Sequence, residues 1–334
     1  MTTKVRWGVL GVARIATEKV IPAMQRGERT EVAAIASRDA GKAWQAASRL
    51  AIPRAYGSYA ELLNDPDIEA IYNPLPNHLH VEWTARAAEA GKHVLCEKPI
   101  GLSAAEADRL LQVRDRTGVH IQEAFMVRTH PQWIAAHEIA QSRRIGDVRA
   151  ISGFFSYFNE DPANVRNIRD FGGGGLYDIG CYLINTARLI FGREPQSVAA
   201  VIERDPRFGV DTLTSFLLDF APGQVTAMCS TQLVPSQRIT IFGTRGRLEI
   251  EIPVNAPPDR ACRIYVDDGS DLFGGGREAI AFDVCDQYTI QADRFSAAVR
   301  GEAALAYPLE DSVRNMRVID AVFRAALSGR WEGV

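Results

Sequence analysis

Val5-Arg6-Trp7-Gly8-Val9-Leu10, running directly into Gly11-Val12-Ala13-Arg14-Ile15-Ala16, decides the architecture. The first six residues read as a buried strand. Residues 14–26 follow with Ile15, Val20, Ile21 and Met24 at helical spacing. A strand, a tight glycine turn and a helix form the slot that holds a dinucleotide pyrophosphate. Gly11 permits the turn, a small Ala13 lets backbone N–H groups approach phosphate at the helix N-terminus, and Ala16 lets the helix pack close to the strand. Gly11, Val12, Ala13, Arg14 and Ile15 are therefore candidate cofactor contacts. Two of the three usual glycines are alanines here, so a plain strand-turn-helix is the competing reading.

Downstream, short apolar runs alternate with helical stretches. Val32–Ala36, Ile68–Tyr72, His93–Cys96 and His120–Glu123 read as strands, with a short one at Tyr56. Residues 40–51, 58–64, 79–90 and 103–117 read as helices, the third ending at Gly91. This alternation predicts a doubly wound parallel α/β sheet of right-handed units. In such a sheet the carboxyl end of the second strand meets the adenosine ribose. That end reads Ser37-Arg38-Asp39. The forked guanidinium of Arg38 and the hydroxyl of Ser37 suit a 2′-phosphate and favour NADP(H), although the acidic Asp39 follows at once.

After about residue 147 the pattern changes. Segments 148–158, 197–204, 212–220, 224–233, 237–243 and 246–252 are rich in β-branched residues and separated by turns such as Ala221-Pro222-Gly223. They predict a large, mostly antiparallel open sheet in an α+β domain. Helices are expected at 176–191, 286–300 and 309–328. The expected domains are 1–125 and 126–334, with the chain crossing between them near 123–147 and the final helix able to pack back on the first.

A chain of 334 residues suits two domains, and 46% hydrophobic with 24% charged residues is ordinary for a globular protein. A net charge of −3 without long runs of either sign argues against nucleic acid or an anionic membrane as partner. The five cysteines, Cys96, Cys181, Cys229, Cys262 and Cys285, form no CxxC pair and an odd count. With no signal-like N-terminus and no stretch of about 18 apolar residues, they point to a reduced, cytoplasmic protein.

Asn73-Pro74-Leu75-Pro76-Asn77-His78-Leu79-His80 and Gly91-Lys92-His93-Val94-Leu95-Cys96-Glu97-Lys98-Pro99 are more specific. With Glu123-Ala124-Phe125-Met126, Gly173–Tyr182 and Phe242–Leu248, they resemble the Gfo/Idh/MocA oxidoreductase family over nearly the whole chain. The resemblance implies a Rossmann domain followed by an α/β domain whose open sheet mediates a homodimer or homotetramer. It marks Lys98 as the active-site lysine, admits a cis Lys98–Pro99 bond, places Leu75, Pro76, Asn77 and His80 around the nicotinamide, and makes Glu97 a cofactor-side contact. Arg128 would close over the cofactor, but Val127 and Thr129 depart from the family pattern there. Most relatives carry His at position 182; the Tyr182 found here is similar to the glucose–fructose oxidoreductase, xylose dehydrogenase and dihydrodiol dehydrogenase branch.

Hydride transfer at a carbinol needs a proton donor or acceptor within hydrogen-bond reach. Asp178 and Tyr182 stand four apart, on one face of the expected helix. Tyr182 is the expected acid/base, with its pKa lowered from about 10 by Lys98, and Asp178 is expected to orient a substrate hydroxyl. This requires an amine and a phenol from opposite domains to meet at one nicotinamide. Asn164, Arg166 and Arg169 precede the glycine run as candidate substrate contacts. His78 and His80 lack further ligands at metal-binding spacing, so no metal is expected.

The expected activity is NADP(H)-dependent oxidation or reduction at a carbinol carbon of an aldose or related polyol, with the cofactor permanently bound in one variant. The alternatives are a non-catalytic NADP-binding sensor or regulator, and a reductase of a dihydrodiol or a nucleotide-linked keto-sugar. Core tyrosine, helix N-cap and surface arginine are the plain structural alternatives for Tyr182, Asn77 and Arg38.

Overall fold

A computed structural model describes residues 3–334. In chain order the main elements are β1 (Val5–Leu10), α1 (Ile21–Arg26), β2 (Thr30–Ala36), α2 (Ala40–Arg49), β3 (Arg54–Tyr56), α3 (Tyr59–Leu63), β4 (Ala70–Asn73), α4 (His80–Glu89), β5 (His93–Cys96), α5 (Ala104–Thr117) and β6 (Ile121–Glu123). Then come α6 (Pro131–Gln141), β7 (Val148–Phe158), α7 (Cys181–Phe191), β8 (Ser197–Arg204), β9 (Asp211–Asp219), β10 (Gln224–Ser230), β11 (Gln232–Gly243), β12 (Arg247–Ile250), β13 (Cys262–Asp267) and β14 (Arg277–Phe282). The chain closes with α8 (Gln287–Val299), α9 (Leu309–Ser328) and the two-residue β15 (Glu332–Gly333).

Two compact units result. The first holds Met1–Met126 and Asp286–Val313; the second holds Val127–Cys285 and Arg314–Val334. The first unit carries six strands in the order β3-β2-β1-β4-β5-β6, all parallel. This is the doubly wound order, with β1 and β4 meeting at the point where the winding reverses. Its strands are apolar on both faces because helices cover both. Trp7 on β1 is fully buried; its indole N–H donates to Ser296 Oγ at 3.1 Å and its ring lies 5.4 Å from Phe295. Helix α8 is thereby part of this first core.

The second unit carries nine strands in the order β14-β13-β12-β11-β7-β10-β9-β8-β15. Pairing is antiparallel except between β10 and β7. Along β7, Ile151, Gly153 and Phe155 face inward in strict alternation, with Tyr157 on the same side. A Cβ on Gly153 would lie 3.0 Å from Leu183 Cδ2, so the missing side chain admits helix α7 against the sheet.

The sheet extends beyond the predicted strands: β13 and β14 continue it. Helix α6 fills part of the stretch where only a chain crossing was expected. Its Pro131 occupies the first turn and the His130 side chain caps it, accepting from Gln132 N–H at 3.2 Å. Both helices leading from the key turns begin as a wider π turn, Ala16–Val20 and Leu176–Gly180. In the first, Ile21 N–H reaches back five residues to Ala16 O, and Pro22 next in line has no N–H to continue the α pattern.

Candidate functional site

In the first unit, the carboxyl ends of β1, β2, β4 and β5 gather most of the expected cofactor residues. Gly11 has φ +84°, a conformation that favours glycine, and its N–H donates to Ala36 O at 2.7 Å. A Cβ there would lie 3.0 Å from Leu75 Cδ2, so the β1 turn and the loop after β4 approach each other only because position 11 lacks a side chain. This cradle fits a dinucleotide. The Arg14 guanidinium is exposed and pairs with Glu18 at 2.8 Å, while Ile15 packs against the first core.

Ser37 is buried, and its Oγ accepts from Asp39 N–H at 3.2 Å. Asp39 caps α2 by accepting from Lys42 N–H at 3.1 Å. The acid that opposed an NADP reading is thus engaged as a helix cap. Arg38 is exposed and contacts the phenol of Tyr59, which burial pushes up and Arg38 pulls down in pKa. A neighbouring groove of about 290 Å³ is lined by Val12, Thr17, Lys42, Gln45, Ala46 and Arg49. Tyr59, Lys42 and Arg49 were not anticipated; their one sequence signal is their distance from the β2 end.

Pro76 precedes a single 3₁₀ turn, Asn77–Leu79, that leads into α4. His80 is 1% exposed, with Nδ1 2.7 Å from Pro99 O and Nε2 2.6 Å from Leu75 O. Burial lowers its pKa to about 4 against the opposing pull of the two carbonyls. His80 is therefore an internal brace joining the loop after β4 to the loop after β5, the two loops that carry Leu75 and Lys98. Glu97 accepts from the Tyr72 hydroxyl at 2.6 Å and lies near half-buried Tyr288, two tyrosines that sequence reasoning missed. Lys98 is half-buried, directly after β5, and the Lys98–Pro99 peptide is cis.

In the second unit, Asp178 sits in the Leu176–Gly180 turn, and Tyr182 begins the α7 surface one turn later, 5% exposed, its ring 6.3 Å from that of Phe155. One carboxylate oxygen, Asp178 Oδ2, accepts from both the Tyr157 hydroxyl at 2.6 Å and Arg166 Nε at 2.8 Å. Asp178 raises the pKa of Arg166, and burial followed by the Asp178 charge raises that of Tyr157, so both stay protonated donors. Asn164 acts on the backbone: its Oδ1 accepts from Arg166 N–H at 3.1 Å. Arg169 is exposed in the next 3₁₀ turn. Arg128 donates to Asn185 Oδ1 on α7 at 3.4 Å.

The glycine run fixes this arrangement. A Cβ on Gly173 would lie 2.5 Å from Arg166 O, and one on Gly174 would lie 2.0 Å from Asp211 Oδ1. Asp211 is 1% exposed, and its Oδ2 accepts from Leu176 N–H at 2.6 Å and from the Thr214 hydroxyl at 3.1 Å. Burial raises its pKa. Tyr157 and Asp211 are the residues here that sequence reasoning missed. Among the described residues no three His, Cys, Asp or Glu side chains form a group able to hold a metal, and no helix is long and apolar enough to cross a membrane.

Comparison with known proteins identifies the family. Residues 5–125 match the oxidoreductase family with an NAD-binding Rossmann fold (Gfo/Idh/MocA), and residues 133–249 match the Gfo/Idh/MocA C-terminal domain. A D-xylose 1-dehydrogenase (NADP(+)) of Haloferax volcanii is 38% identical over 326 residues, covering 97% of this chain and 98% of the relative. A 3-ketoreductase from Actinomadura kijaniata, solved with NADP and TDP-benzene, superposes with a TM-score of 0.90 at 30% identity, covering 97% and 98% of the two chains. An aldose-aldose oxidoreductase from Caulobacter crescentus, complexed with glycerol, gives 0.89 at 26% identity over 99% and 100%. The chain belongs to the Gfo/Idh/MocA family and is an NAD(P)-dependent oxidoreductase, a dehydrogenase or reductase acting on CH–OH groups.

Proposed function

We propose that the chain oxidises a carbinol carbon of a free aldose or related polyol, or reduces the matching carbonyl, with NADP(H) as its cofactor. One observation carries the proposal: Asp178 and Tyr182 stand a turn apart at the head of α7, with the Asp178 carboxylate fixed by two donors beside a tyrosine. When bound, the cofactor supplies or accepts the hydride. The Tyr182 hydroxyl gives or takes the proton of the reacting oxygen. The Lys98 ammonium favours the ionised phenol through its charge, and Asp178 holds a substrate hydroxyl. Gly11, Val12, Ala13, Arg14 and Ile15 hold the pyrophosphate, and Ser37 and Arg38 the 2′-phosphate. Leu75, Pro76, Asn77, Glu97 and Arg128 complete the cofactor contacts, while His80 acts by bracing. The exposed Arg38, the engaged Asp39 and the NADP(+) named for the Haloferax relative support NADP(H) over NAD(H).

The protein is proposed to work in the cytoplasm as a homodimer or homotetramer through the outer face of its nine-stranded sheet. Register places Ala199, Leu217, Thr226, Ser152 and Thr240 in one row of that face, and Val201, Ser215, Met228, Phe154 and Arg238 in the next. Val201 is 74% exposed and Leu217 42%. A second reading, reduction of a nucleotide-linked keto-sugar, draws support from the ketoreductase likeness and from exposed Arg169.

The test is NADP+ reduction followed at 340 nm over D-xylose, other aldoses, polyols and dihydrodiols, with Lys98→Ala and Tyr182→Phe alongside. Each variant is expected to lose about 10²–10⁴ in kcat while still binding NADP+. Full rate in both variants would remove the assigned roles. Absorbance near 340 nm without added cofactor marks the permanently bound variant.

A further inference from the structure

Arg166, like Arg169, is a cation of the loop before the glycine run that could meet a phosphate, and the geometry of Arg166 says otherwise. Its backbone N–H is held by Asn164 Oδ1 at 3.1 Å and its carbonyl by Gly174 N–H at 2.9 Å. Gly173 packs against the same carbonyl with no room for a Cβ. The side chain is then directed to Asp178 Oδ2, where the Tyr157 hydroxyl arrives from β7. The Asp178 side chain is 12% exposed and that of Arg166 41%. A mostly buried carboxylate needs a counter-charge and hydrogen bonds to stay ionised, and these two residues supply them. The Arg166–Asp178 pair carries no net charge to offer a phosphate group.

We propose that Tyr157 and Arg166 are positioning residues for Asp178, and that the pairing of Arg166 with its charge makes the site select an uncharged, hydroxyl-bearing sugar over a nucleotide-linked one; this rests on the reading of Asp178 as the residue that holds substrate. Tyr157 and Arg166 act through the carboxylate, fixing one oxygen so that the group presents a set direction to a sugar hydroxyl. The same contacts consume the positive charge that a diphosphate requires.

The experiment pairs turnover with binding. D-xylose oxidation by NADP+ is measured for wild type, Tyr157→Phe, Asp178→Asn and the Tyr157→Phe/Asp178→Asn double variant. Tyr157→Phe is expected to lower kcat/KM for the sugar roughly ten- to a hundredfold, the scale of one charge-assisted hydrogen bond, with KM for NADP+ unchanged. In the Asp178→Asn background the same change should cost less than about twofold, because the partner it acts through is gone. Equal losses in both backgrounds would overturn the positioning role. Thymidine diphosphate and D-xylose are titrated calorimetrically into the NADPH-loaded protein, which needs no turnover. Expected are sugar binding that weakens in Tyr157→Phe, and diphosphate binding that is weak and unchanged in Arg166→Gln, with Arg166→Lys as a charge-retaining check on folding. Tight diphosphate binding lost in Arg166→Gln, or binding of the diphosphate without the sugar, would overturn the proposed selectivity. Sugar that binds but is not oxidised by NADP+ would refute the proposed reaction and leave the selectivity standing.

Discussion

Replacing Gly174 by alanine should destabilise the second unit out of proportion to the one carbon added. Gly174 has φ +116°, where an L side chain is strained, a cost of about 1–3 kcal/mol. Its Cβ would also lie 2.0 Å from Asp211 Oδ1 and 2.9 Å from Asp211 Cγ. That carboxylate cannot swing away cheaply, because it is 1% exposed and holds Leu176 N–H and the Thr214 hydroxyl. Forcing an extra methyl against a fixed group adds about 1–3 kcal/mol. The total, about 4 kcal/mol, lowers Tm by roughly 10 °C for a unit of this size. Gly192→Ala is the matched control: φ is +63° but no atom lies within 4 Å of the new Cβ, so about 1 kcal/mol and roughly 3 °C are expected. Thermal unfolding by circular dichroism reads both. A Gly174→Ala protein melting with the Gly192→Ala control would show that Asp211 does not constrain the turn, and the account of the glycine run would fall with it.

Three further outcomes follow from other parts of the chain. Burial holds the His130 ring neutral to about pH 4, whereas the unfolded ring protonates near 6.5. Stability is therefore full above pH 6.5 and falls by about 3 kcal/mol as pH drops through 6.5 towards 4. His130→Asn keeps a capping acceptor and removes the titration, so its Tm should change less between pH 7.5 and 4.5; equal slopes would refute the assignment. Arg38→Leu should raise KM for NADP+ about ten- to a hundredfold and leave KM for NAD+ unchanged, measured by initial rates with each cofactor. Val201→Arg with Leu217→Arg on the open sheet face should convert an oligomer to a monomer in light scattering; a monomeric wild type would end the proposed assembly.

The parts legible in the sequence are those fixed by local pattern. The bounds of β1 and β7 coincide with the apolar runs at 5–10 and 148–158, since both strands sit in the middle of a sheet and must be apolar where they are buried. Strand β14 (Arg277–Phe282) escaped notice for the opposite reason: as the last strand of its sheet it buries no face, and its composition carries no alternation. The π turns were illegible because they follow from single positions: Pro22 lacks a donor next to the first, and Gly180 closes the second where a Cβ would lie 2.9 Å from Cys229 Sγ. The motif residues Asp178 and Tyr182 could be paired from spacing alone. Tyr157 and Asp211 could not, because nothing local ties a strand residue to a turn 21 positions later or a turn to a strand 35 positions on.

The glycine run shows how the two kinds of information combine. Read locally, Gly172–Gly175 is a short loop. In the fold its members do different work: Gly172 and Gly174 take positive φ, while Gly173 and Gly174 lack the side chain that would strike Arg166 O or Asp211. Gly173 and Gly174 each admit a close neighbour where a side chain would have kept it out. Arg166 is thereby pressed against the start of the Asp178 turn, and the turn itself is pinned from beneath by Asp211. A carboxylate aimed by an arginine and a tyrosine, on a turn held by Asp211, suits the proposed role of receiving a hydroxyl group in a fixed orientation. Replacing Gly173 or Gly174 should therefore harm the proposed substrate selection before it harms binding of NADP(H), since the cofactor contacts proposed on the first unit have no part in the run.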